Sequence, residues 1–206
     1  MEVVQEGRFR PQKNAIGSLN MSRLFVGIGL LLVSVTHTLA HPAQVIIIRH
    51  AEKPAKGNGL SLRGEERAAA LVPYFLKTEE LVQFKTPVAI YAQQTNNQTA
   101  SRRAIETVKP LADLLRLQVN DSYMRDDYKR MVDEIMRSKD YEGRMVLICW
   151  EHKIIPKIAT ELGAVDAPSN WADSEYDRTW IVTFRPGENP HCKIVPQQLL
   201  YGDADK

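Results

Sequence analysis

The run Val45-Ile46-Ile47-Ile48 constrains this chain more than any other feature. A continuous β-branched run reads as a strand buried on both faces, as in a parallel sheet covered by helices. Arg49-His50-Ala51-Glu52 follows it without a break. The charged tetrad then falls at the carboxyl end of the strand, where open α/β sheets place their ligands. An imidazole in that position can act as a nucleophile while a neighbouring guanidinium holds an anion.

The pattern downstream repeats the same unit. Ser61 is a good N-cap residue, Glu65 and Glu66 suit the first turns of a helix, and Ala68, Leu71, Val72, Phe75 and Leu76 share one face. Pro73 is expected to bend that helix or end it early. A second short strand is expected at Pro87–Tyr91. A helix over Ser101–Leu115 follows, with Pro110 interrupting it or starting a second segment. Tyr128, Met131, Val132, Ile135 and Met136 mark a third helix, with the methionines as core filler. Met145–Cys149 reads as another fully apolar strand. A helix runs from about Ile154 to a stop at Gly163. Thr179–Phe184 and Lys193–Pro196 then read as a hairpin or as adjacent strands. The expectation is a three-layer α/β/α sandwich: a mostly parallel sheet, helices on both faces, and an antiparallel edge near the C-terminus.

The first forty residues differ from the rest. Met21-Ser22-Arg23 and the uncharged apolar run Leu24–Val35 lead to Thr38-Leu39-Ala40. Such a run is shorter than the roughly 20 residues that span a bilayer. Residues 1–40 are therefore expected to be an N-terminal extension and signal peptide cleaved near Ala40, with residues 41–206 forming the domain. That makes the product secreted or periplasmic, with no stable membrane insertion after cleavage. Taking away four basic and two acidic residues from totals of 27 and 25 leaves 23 of each. A neutral domain has no long-range field to attract nucleic acid, so any anion site must come from a few local charges.

Cys149 and Cys192 are the two cysteines. In an exported chain they could pair, worth about 3–4 kcal/mol by loop-closure entropy. The alternative is a buried free thiol within the apolar strand at Cys149. Their spacing offers no zinc motif.

Three strand-to-helix junctions carry reactive or anion-binding groups: Arg49, His50 and Glu52 at the first, Arg102 and Arg103 at the second, Glu151 and His152 at the third. If the strands are parallel, all three open on one edge of the sheet, and the second adds the free N–H groups of a helix start. Arg49-His50-Ala51-Glu52, Leu60-Ser61-Leu62-Arg63-Gly64, Arg103-Ala104-Ile105-Glu106-Thr107 and the late His152 together resemble the histidine phosphatase (phosphoglycerate-mutase-like) superfamily. The resemblance spans Val45 to Gly163.

It implies phosphomonoester hydrolysis through a transient phosphohistidine on His50. Arg49 and Arg103 would clamp the phosphoryl oxygens, and His152 would complete the pocket. It implies no metal and no other cofactor. The partner would be a small phosphorylated substrate or a phosphopeptide. Glu52 is expected to orient an arginine or histidine, Arg102 to face solvent, and Lys53 to meet a substrate anion or lie exposed in its loop. Glu151 is the candidate general acid, with Asp126 and Asp127 as alternatives that helix capping explains equally well. In one branch of the superfamily an Asp follows the second histidine; Lys153 stands there instead. Trp171, Tyr176, Asp177 and Trp180 either wall the pocket or pack the sheet edge. His41 and His191 have no partners in the sequence pattern. Mutase-type phosphoryl transfer and a non-catalytic phosphate-binding module are the competing readings.

Overall fold

The computed structural model describes residues 41–95 and 101–203; the expected signal peptide lies outside the described residues. The apolar runs become the centre of a six-stranded sheet. Strand β1 (Gln44–Arg49) and β4 (Met145–Trp150) are buried along their whole length. They pair in parallel, with Val45 opposite Val146 and Arg49 opposite Trp150. Strand β2 (Ala89–Ala92) joins the far side of β4 in parallel, and the two-residue β3 (Val119–Asn120) extends it. Strands β5 (Arg178–Thr183) and β6 (His191–Pro196) close the other edge antiparallel, giving the order β3-β2-β4-β1-β5-β6. The tail is thus a hairpin laid against β1, and the mixed sheet has the antiparallel edge the sequence suggested.

Alternation along β1 divides the core. Ile46 and Ile48 join Leu147 and Cys149 beneath α1 (Leu62–Lys77) and α3 (Arg103–Leu115). Val45 and Ile47 join Val146 and Ile148 against α4 (Tyr128–Arg137) and α5 (Ile155–Glu161). Helices therefore cover both faces, which is why the strands carry no polar alternation. A short α2 (Glu79–Val82) and a 3-10 turn at Lys139–Tyr141 complete the chain.

Three expectations need correction or choice. Neither proline ends its helix: α1 runs through Pro73 to Lys77, and α3 runs through Pro110 to Leu115. Leu71, Tyr74 and Phe75 around the first, and Val108, Leu111 and Ala112 around the second, are buried in one cluster. Tertiary burial on that face outweighs the hydrogen bond each proline removes. The cysteines do not pair; both are free and buried. Strands β4 and β6 are three places apart, about 14 Å at ordinary strand spacing, well beyond disulfide reach. Their thiols also belong to opposite faces of the sheet.

Helix α1 seats directly on the tetrad. Ser61 accepts a hydrogen bond from the Gly64 N–H as N-cap, and its own N–H and hydroxyl both donate to the Glu52 carbonyl. A Cβ on Gly64 would stand 2.4 Å from that carbonyl oxygen. The Leu-Ser-Leu-Arg-Gly segment thus needs its glycine for close approach of two backbones. Gly64→Ala is expected to destabilise the fold by about 1–3 kcal/mol, read as a lower urea midpoint with unchanged slope; an unaltered midpoint would mean that α1 shifts freely.

Candidate active site

The carboxyl ends of β1, β2 and β4 meet in a cleft of about 200 Å³ lined by His50, Gln93, Ser101, Arg103, Ala104, Arg125 and Glu151. His50, Arg103 and Glu151, drawn from three separate junctions of the sequence, are thereby brought together. Larger hollows lie elsewhere on the surface, but none of them contains a histidine of the junctions.

His50 is fixed by its backbone and by its ring. Its N–H donates to Trp150 O across the β1–β4 pair at 3.1 Å. Its Nδ1 lies 2.8 Å from Ala51 O, an acceptor only, so Nδ1 carries the proton and Nε2 keeps its lone pair. Nε2 has no hydrogen-bond partner among the described residues. Burial pushes the His50 pKa down from 6.5 to about 4; the hydrogen bond to Ala51 O pulls it up, and the lesser effects of the Arg49, Arg103 and His152 charges add to the fall. The ring is therefore neutral at pH 7, with the Nε2 lone pair unengaged by the described residues.

Helix α3 explains the Arg-Ala-x-x-Thr pattern. Thr107, fully buried, donates its hydroxyl to Arg103 O at 2.6 Å and accepts from the Ala51 N–H at 2.8 Å. One side chain thus ties the start of α3 to the residue after His50. Arg103 is held by its surroundings: Nε donates to Gly59 O, Nη2 to Gly57 O, and Nη1 to Ser101 Oγ at 3.4 Å. Its guanidinium is oriented in the cleft by the loop that precedes α1. Arg102 points outward and pairs with Glu106 on the helix surface.

Arg49 is committed elsewhere in part. Its Nη1 donates to the carbonyls of Ala172, Asp173 and Glu175 at 2.6–3.3 Å, and its guanidinium carbon lies 3.8 Å from the Tyr176 ring centre. It does not line the cleft, although its charge acts on His50. Its buried Nε makes no hydrogen bond to the described residues.

Strand β4 ends at Trp150, and a turn closed by the Ile154 N–H on Glu151 O begins at once, taking Glu151 and His152 off the strand. That turn lets neighbours in sequence address one site. His152 is buried, its Nε2 2.6 Å from Asp173 Oδ1 and its Nδ1 3.1 Å from Glu151 Oε1. The second approach lacks hydrogen-bond alignment, leaving Nδ1 without a partner. Glu151 pairs through Oε2 with Arg125, from Nε at 3.2 Å and Nη2 at 3.1 Å.

Arg125 and Asp173 were not singled out in the sequence. Arg125 follows a strand of two residues in a segment without periodicity, and Asp173 lies in a loop 21 residues past its histidine. The other candidates sort plainly. Lys53 is exposed and outside the cleft. Asp126 pairs with Arg125, and Asp127 makes a turn bond to the Met124 N–H. Glu52 grips Arg67 through both oxygens and also meets Arg63. Trp171 and Trp180 stack in the core 5.2 Å apart, while Tyr176 lies against Arg49. Asp177 is buried, and its carbonyl accepts from the Gln197 N–H. His41 packs on Phe184, and His191 pairs with Asp166. Among the described residues no group of three or more His, Cys, Asp or Glu is placed to hold a metal ion. None of the described helices is long and apolar enough to cross a membrane.

A six-stranded mixed sheet that brings His50 and Arg103 to one cleft gives the chain an α/β fold shared with solved histidine phosphatases. It is similar to the protein histidine phosphatase SixA in complex with tungstate, at 15% identity and TM-score 0.54 over 75% of this chain and 97% of that one. The alpha-ribazole phosphatase from Shigella flexneri superposes with TM-score 0.51 at 12% identity, over 74% of this chain and 96% of that one. A mycobacterial glucosyl-3-phosphoglycerate phosphatase gives 0.50 at 11% identity, over 75% and 97%. No family model and no curated protein matches the sequence.

The depressed His50 value has a direct consequence. A group with a lowered folded pKa stays unprotonated as pH falls from 7, until the folded value is reached. The His50 ring is expected to take up its proton near pH 4 in an NMR titration. A midpoint at 6.5 would show an ordinary, solvated imidazole.

Proposed function

We propose that this protein is a phosphomonoesterase that works through a phosphohistidine on His50. The observation that carries the proposal is the locked ring: Nδ1 bound to Ala51 O leaves Nε2 available in a cleft that also holds Arg103. In the first step the Nε2 lone pair attacks phosphorus, and the P–O ester bond breaks with its electrons on the leaving oxygen. That oxygen takes a proton from the Glu151 carboxyl group. Water then attacks the phosphohistidine, the P–N bond breaks, and Glu151 recovers the proton that water releases. Splitting one displacement into two lowers each barrier. Arg103, oriented before substrate arrives, supplies charge stabilisation, a contribution that is typically about 3–4 kcal/mol per donor. Arg49 adds a positive field from behind His50, and His152 with Asp173 closes the site beside Glu151.

The fold supports phosphatase chemistry because the solved structures it is similar to are phosphatases. Their substrates range from phosphohistidine to a glucosyl phosphoglycerate, so the fold alone leaves open which phosphoryl compound enters this cleft.

The purified protein is expected to release phosphate from phosphomonoesters and to accumulate an acid-labile phosphoenzyme on rapid quench. His50→Ala should fold with an unchanged melting temperature, lose turnover by at least 10³-fold and form no adduct; wild-type turnover in that variant would end the proposal. We propose as well that the chain is exported and cut after Ala40. N-terminal sequencing of protein from the culture medium or periplasmic extract should then begin at His41, and an intact N-terminus found only in cytosol would refute export.

A further inference from the structure

The Arg125–Glu151 ion pair has a cost that its contribution to stability does not explain. Both side chains are partly exposed, Arg125 at 36% and Glu151 at 19%, and such pairs contribute little to folding. The Arg125 segment is held by other bonds. Trp150 Nε1 donates to Arg125 O at 3.1 Å, and the Gln94 N–H donates to Tyr123 O at 2.8 Å. These bonds fix the backbone of the segment independently of the ion pair, and the Arg125 side chain lines the cleft. Meanwhile the carboxylate of Glu151 stands in a cleft meant for an anion, where it opposes substrate.

We propose that Arg125 is a further phosphate-binding residue of this cleft, and that the substrate's phosphoryl group takes the place of Glu151 on it. The inference rests on the phosphatase reading above. His50, Arg103 and Arg125 line one cleft, so a phosphoryl group on Nε2 has a guanidinium from α3 and another from the segment before α4. A guanidinium fork binds phosphoryl oxygens as readily as a carboxylate. The exchange also prepares Glu151. It loses a cation and gains a dianion as neighbour, and both changes favour its protonated form. Glu151 takes up a proton from solvent, and that proton goes to the leaving oxygen. Arg125 thereby makes the acid available only when substrate is bound.

A double-mutant cycle read by inorganic phosphate binding tests this without turnover. By calorimetry at pH 7, Arg125→Ala should weaken phosphate about tenfold, and Arg125→Lys should fall between it and wild type. Glu151→Gln should bind phosphate about tenfold more tightly, because it frees the Nε–Nη2 edge of Arg125 while Nη1 stays on Asp126. The double variant should bind as weakly as Arg125→Ala. If the gain from Glu151→Gln persists without Arg125, the carboxylate acts by general repulsion and the exchange is wrong. Unaltered binding in Arg125→Ala with an unchanged melting temperature would also overturn it. Turnover separates the acid role: Glu151→Gln should lose far more activity on an alkyl phosphate than on p-nitrophenyl phosphate, and equal losses would remove Glu151 as acid. The phosphohistidine reading stands or falls separately on His50→Ala.

Discussion

Every polar group of the backbone leaving β1 has to be satisfied, because His50 and Ala51 are buried. The His50 N–H goes to Trp150 O, the Ala51 N–H to Thr107, and the His50 ring to Ala51 O. Glu52 O takes the N–H and hydroxyl of Ser61. The partners outside the turn lie on three elements: β4, α3 and the start of α1. The site is thus a product of backbone accounting. Three elements converge on the end of β1 because one irregular turn needs all of them, and the cleft lies at the strand ends.

The arginines divide their donors between structure and chemistry. Arg67 is fully buried and forks between Glu52 and Asp203 near the chain's end, with Gln197 as a third acceptor. Burial alone would raise the Asp203 pKa, but hydrogen bonds from Arg67 hold it down to about 2. A buried charge that loses its partner costs about 3–5 kcal/mol, so this network anchors the C-terminal segment to the tetrad. Arg49 gives one nitrogen to three carbonyls of the 172–175 loop, and Arg103 gives two to the 57–59 loop. Donors already held in place would need no reorganisation in the phosphoryl transfer proposed above.

Much of this was readable in the sequence for a physical reason. The runs at Val45–Ile48 and Met145–Cys149 are local signals of double-sided burial, and the groups that follow them inherit their place from the strand ends. The motifs were visible while their reasons were not: Thr107 as the partner of an N–H 56 residues away and Gly64 as a close-approach point emerge only in three dimensions. Arg67 carried a signal that could have been used, since it falls on the buried face of α1 beside Ala68 and Leu71. Arg125 carried none. Its position depends on Trp150, 25 residues away, and on pairing next to a strand too short to show a period. The prolines misled because propensity is local and the burial that overrides it is not.

Cys149 and Cys192 lie on opposite faces of the sheet with no crosslink to form. Burial pushes both thiols up, Cys192 to about 12, with Asp166 adding to it, and thiols so protonated react slowly with oxidants. A fold built in this way owes nothing to redox poise. It needs no crosslink in a reducing cytosol or an oxidising exterior, so the core itself does not select the compartment.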